Sequence, residues 1–71
     1  MEIKNGKTVK FNENLHYQDG VFHKTRFYKI KSLSDFGFRL HDLSVKNDWI
    51  GHSIDMQTVK KWIKEDKILI Y

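Results

Sequence analysis

Four side chains with cationic chemistry, Lys29, Lys31, Arg39 and His41, recur at every second position along two short stretches of this chain. Tyr28, Ile30, Phe38 and Leu40 fill the positions between them. Residues two apart on a strand share a face, so this alternation predicts one basic face and one apolar face. Ser34-Asp35-Phe36-Gly37 joins the stretches and has the composition of a type I turn, with Ser first and Gly last. A three-residue loop ending at Gly37 pairs Ser34 with Phe38 and sets the register behind it. Beyond a second turn at Lys46-Asn47-Asp48, the same parity adds Trp49 to the basic face. Phe27 stands ready as a second aromatic. Cations that neutralise phosphates, together with aromatic planes that stack on bases, are what a single-strand binder needs. The candidate site is therefore Phe27, Lys29, Lys31, Arg39, His41 and Trp49. A competing reading stays open: Leu33, Leu43 and Val45 share that register, so Trp49 can equally be core and the lysines its rim.

The remaining reactive groups form no motif. His16 and His23 are seven apart, and His41 and His52 eleven apart. Neither spacing puts two imidazoles on one helix face, and there is no Cys to complete a zinc site, so no metal or other cofactor is expected. The four glycines are isolated, which excludes a glycine-rich phosphate loop. No nucleophile elbow accompanies Ser, His and Asp. The reading is a non-enzymatic protein without catalytic residues. A small ribonuclease, with His as base and Lys or Arg on the phosphate, is the enzymatic alternative.

These residues must be held by a small fold. Residues 1–71 make a single domain, which buries only about 60% of its unfolded surface. Its core comes from ten aromatics, seven isoleucines and scattered Leu and Val. The net charge of +4 favours anionic partners, either single-stranded DNA or RNA or an acidic host protein. No apolar run approaches the roughly 18 residues of a membrane span, and Met1-Glu2-Ile3-Lys4 lacks a signal-peptide core, so a cytoplasmic protein with no membrane partner is expected. Phe, Tyr, Met, Ile, Asn and Lys total 32 of 71 residues, against 6 for Gly, Ala, Arg and Pro. That bias suits A/T-rich codons, as in low-GC bacteria and their phages.

Along the chain, Asn5-Gly6 predicts a hairpin within Met1–Lys10. Asn12–Gly20 reads as a loop that tucks Leu15 and Tyr17 inward, and Val21–Tyr28 as either the start of a bent strand or a mobile loop. Strands follow at Tyr28–Ser34, Phe38–Val45 and Trp49–Ser53. Asp55 caps a helix over Asp55–Asp66, with Ile54 and Val59 as a hydrophobic staple and Met56, Val59 and Ile63 as its apolar stripe. Ile68-Leu69-Ile70-Tyr71 predicts a closing strand. The fold class is α+β, with the order β-β-β-β-β-α-β: a β-rich, curled antiparallel sheet or small open barrel with one C-terminal helix. Phe27-Tyr28-Lys29-Ile30-Lys31, Phe38-Arg39-Leu40-His41-Asp42 and Trp49-Ile50-Gly51-His52, with the helix and short last strand behind them, resemble the small SH3-like or OB-like barrels of bacterial and phage accessory proteins. The likeness spans about Val9 to Tyr71, is one of pattern, and carries over no functional residue, because such barrels host many unrelated functions. The main alternative to nucleic-acid binding is a protein-binding inhibitor or modulator, encoded by a phage or mobile element, that uses the same exposed aromatics as anchors.

Overall fold

The computed structural model describes residues 2–18, 20–44 and 51–71. Among these residues, seven strands and one helix follow in order: β1 (Thr8–Phe11), β2 (Leu15–Tyr17), β3 (Gly20–Phe22), β4 (Phe27–Ser34), β5 (Gly37–Asp42), β6 (Gly51–Asp55), α1 (Met56–Lys64) and β7 (Ile68–Ile70). Five strands form an antiparallel sheet in the order β6-β5-β4-β1-β7, while β2 and β3 pair as a separate ribbon. The sheet does not close on itself: β6 and β7 are its two edges, and α1 carries the chain from one to the other. The expected β-rich fold with a single C-terminal helix is present, with six strands before the helix instead of five.

The predicted parity holds. Tyr28, Ile30, Phe38 and Leu40 are all buried, joined on the inner face by Val9, Phe11, Ile54 and Ile68. Val59 and Trp62 of the helix cover this face, with Leu15 and Phe22 of the ribbon beside them. Phe11 stacks on Phe22 with ring centroids 4.8 Å apart, and both rings meet Tyr28 and Trp62 edge-on. Such pairs contribute about 0.5–1.5 kcal/mol each beyond area burial.

The hairpin register differs from the expected one. Ser34 pairs with Gly37, not Phe38, around the two residues Asp35 and Phe36. Below the turn a bulge sets Ser32 and Leu33 against Phe38 alone, so Ile30 meets Leu40 and Lys31 meets Arg39. Ser32 takes φ +55°, and Asn5 Oδ1 accepts a hydrogen bond from the Leu33 amide at 2.9 Å. The net shift is two residues, which leaves every side chain below the bulge on its predicted face. Leu33 alone is diverted: it packs against the core and not on the basic face.

Other expectations are corrected in detail. Asn5-Gly6 does turn, with the Lys7 amide bonded to the Lys4 carbonyl and Gly6 at φ +88°, but no strand precedes it. Instead the Gly6 amide donates to Ile30 O at 2.9 Å, attaching the N-terminus to β4. The supposed loop Asn12–Gly20 contains β2 and the start of β3; Leu15 and Tyr17 do turn inward. The strand expected at Phe38–Val45 spans Gly37–Asp42, and that expected at Trp49–Ser53 is found over Gly51–Asp55. The turn at Lys46-Asn47-Asp48, Val45 and Trp49 lie outside the described residues.

The helix is framed as predicted. Asp55 is its N-cap, accepting from the Thr58 amide at 3.1 Å. At the other end Asp66 adopts φ +57°, the Lys67 amide reaches Trp62 O and the Asp66 amide reaches Ile63 O. This is a Schellman ending with Asp in the left-handed position that usually takes Gly. The apolar stripe is rotated from the expected one: Val59 and Trp62 are buried, whereas Met56 and Ile63 are only half-buried.

Candidate nucleic-acid interface

The outer face of the sheet can be drawn as a grid from the pairing. Tyr71, Thr8, Lys29 and His41 lie in one row, since the Tyr71 amide donates to Thr8 O and Thr8 and His41 both pair with Lys29. Leu69, Lys10, Phe27 and Leu43 form the next, with the Leu43 amide donating to Phe27 O at 2.9 Å. On the opposite side of the first row Lys31 and Arg39 face one another, followed by Ser53. None of these positions carries an acid.

Of the four large hydrophobic side chains exposed among the described residues, three are on this face: Phe27 at 47%, Leu43 at 46% and Tyr71 at 60%. Lys10 holds its ammonium 5.5 Å from the centre of the Phe27 ring, a cation–π contact. Strand spacing and rise put the Cα atoms of Tyr71 and Phe27 about 12 Å apart, with Lys29 at one of the other corners of the grid and Lys10 on β1 between Phe27 and Leu69. The helix and ribbon cover the opposite, inner face.

Five of the six site residues expected from sequence are therefore together, and the sixth, Trp49, lies outside the described residues. Lys29 and Lys31 are half-buried and Arg39 is exposed. His41 is only 7% exposed, so it offers a partner little surface. Lys31, Arg39 and His41 each have an interaction partner within the chain. Lys10 and Tyr71 were missed, although the burial of Val9 and Phe11 points Lys10 outward by the same alternation that located Lys29.

Two acids near this face, Asp42 and Asp55, are tied into the fold by hydrogen bonds. Asp42 lies opposite Tyr28 at the end of β5. Burial pushes its pKa up, but hydrogen bonds from the Ser44 hydroxyl and amide and from Arg26 outweigh that and hold it below the ordinary value. Asp55 accepts from the Thr58 hydroxyl at 2.6 Å and the Tyr17 hydroxyl at 2.5 Å, which lowers its pKa to about 2. The same bond, helped by desolvation, raises the Tyr17 phenol. Both carboxylates are structural ties.

No protein-family profile matches this chain, and no curated protein or solved structure matches it. Function must be argued from the side chains alone. His16 is exposed on β2, His23 lies in the β3–β4 turn, and His52 packs against Phe22 with ring centroids 5.5 Å apart. Among the described residues, no three histidines or carboxylates gather as a metal site requires. No helix there is long and apolar enough to cross a membrane.

Proposed function

We propose that this chain is a non-enzymatic accessory domain that binds single-stranded nucleic acid on the outer face of its sheet. The observation that carries the reading is the coincidence of exposed Phe27 and Tyr71 with Lys10, Lys29, Lys31 and Arg39 on one surface, in rows whose described positions carry no acid. Base stacking on exposed aromatics contributes about 1–3 kcal/mol per base, and the cations follow the backbone. The meander β4-β5-β6, with β7 returning beside β1, supports an SH3-like relationship, and phage or low-GC bacterial origin and a cytoplasmic setting complete the proposal.

Binding of labelled oligo(dT) or oligo(U), followed by fluorescence anisotropy across a salt series, tests it. Four cations on phosphates predict a slope of log K against log salt of roughly −3. Lys29→Glu flattens that slope by about 0.7 and leaves thermal stability unchanged. Salt-independent or undetectable binding overturns the reading. The exposure of Leu43 beside Phe27 favours a second reading, an acidic protein partner anchored on these apolar groups. Capture of one protein from nuclease-treated lysate, lost in Phe27→Ala, supports that alternative.

A further inference from the structure

The fourth exposed hydrophobic side chain, Phe36, is not on the outer face. It projects from the β4–β5 turn, 87% exposed, yet its main chain is fixed. The Phe36 carbonyl accepts from the Met56 amide at 2.8 Å, and the Phe36 amide donates to Ser34 Oγ at 3.3 Å. A phenyl ring so exposed contributes little to folding. It also forms one wall of a recess of about 340 Å³, whose other walls include Tyr17, Ser34, Arg39, Ser53 and Asp55. That volume lies at the small end of the roughly 300–1,000 Å³ typical of ligand sites.

Two of these residues connect the recess to the interface already described. Arg39 faces Lys31 across the strands, and Ser53 is its neighbour on β6, so the row of cations leads into this hollow. From this geometry we propose that the recess is a subsite for one unpaired nucleotide, its base against Phe36 and its phosphate at Arg39 and Ser53. The proposal rests on the nucleic-acid reading above and deepens it.

Polarity fixes the orientation. Arg39 supplies a planar guanidinium fork suited to phosphate oxygens, with the hydroxyls of Ser34 and Ser53 as further donors. At the other end stands the carboxylate of Asp55, which repels phosphate. It already accepts three hydrogen bonds, from Tyr17 and twice from Thr58, of the roughly four that an ionised carboxyl can take. The far side of Phe36 borders a hollow flanked by Asp35 and Asp55, again unfavourable for a phosphate, so the strand enters from the Arg39 side.

The test uses the full chain with two probes, 5′-AMP and fluorescein-labelled oligo(dA) of eight nucleotides. Titration of ¹⁵N-labelled protein with 5′-AMP is expected to shift the amides of Phe36, Gly37 and Ser53 together. Phe36→Ala should weaken oligo(dA) binding by roughly 5- to 150-fold, the size of one lost base stack, and Phe36→Trp should restore it. Because Phe36 is exposed, both variants should melt with the wild type. If Phe36→Ala binds oligo(dA) as the wild type does while Lys29→Glu binds it more weakly, the sheet face binds and the recess does not, which overturns the subsite alone. If the wild type binds neither probe nor any oligonucleotide, both readings fall.

Discussion

Gly37→Ala is the most revealing single change for the fold. A β-carbon built on Gly37 falls 2.1 Å from Ile54 O, 2.9 Å from Asp55 Cα and 3.0 Å from Ile54 C. All three are backbone atoms of β6, so no side chain can swing aside. Ordinary contact begins near 3.4 Å; the strands must separate by roughly an ångström where Phe38 pairs with Ile54 and Gly37 with Asp55. Gly37 also has φ +154°, a conformation that costs a non-glycine residue about 1–3 kcal/mol. One or two weakened ladder bonds add about 0.5–1.5 kcal/mol each. The expected loss is about 3 kcal/mol, from a total of about 4–10 kcal/mol for a chain of this length. Gly6→Ala is the control: Gly6 has φ +88° but nothing within 4 Å of a new β-carbon, so it should lose only the conformational part, about 1 kcal/mol. Urea denaturation of the two variants isolates the contact as their difference, read from the midpoints at constant m. Equal losses for Gly37→Ala and Gly6→Ala would refute the close approach of β5 to β6.

Four further changes test the helix and its caps. Asp55 has its pKa depressed to about 2, so its contribution to stability is full above the usual value near 4 and is lost as pH falls toward 2. Asp55→Asn should flatten the acid limb of a melting-temperature profile in that window while keeping the cap, and an unchanged limb would show that other carboxylates govern it. Asp66→Gly places the preferred residue at φ +57° and should raise stability by about 0.5–1 kcal/mol, measured by thermal melting with the sign as the deciding result. Trp62→Ala should cost about 3–5 kcal/mol and Ile63→Ala distinctly less, because only the former is buried; the reverse order in denaturation would mean the helix faces the other way.

Which residues share a face was legible in the sequence, because alternation survives any even shift in register. The register itself was not. It depends on a bulge whose left-handed residue is Ser32, not Gly, and whose amide partner, Asn5, lies 28 positions from Leu33. The ribbon escaped notice because Leu15–Tyr17 and Gly20–Phe22 are only three residues each, too short for periodicity to register. The candidate face was read in its cationic part, from strands β4 and β5. Lys10 and Tyr71 reach it only through long-range pairing of β1 with β4 and β7, which the sequence pattern does not encode. The helix was read best, since its N-cap, staple and punctuation are all local. Its rotation was not legible: Trp62, beside the expected Met56–Val59–Ile63 stripe, is the residue that packs against Phe11 and Tyr17.

The pairing of β1 with β7 has a mechanical consequence. These strands are antiparallel neighbours, so Thr8 and Tyr71 meet at one corner, joined by a 2.8 Å hydrogen bond from the Tyr71 amide. Tension applied between these two residues acts across the ladder and not along it. It opens the bonds one at a time, beginning at Thr8 and ending where the Asn12 amide meets Lys67 O. Under such tension the domain would therefore unzip from that corner, and the first surface to come apart is the one carrying Tyr71 and Lys10.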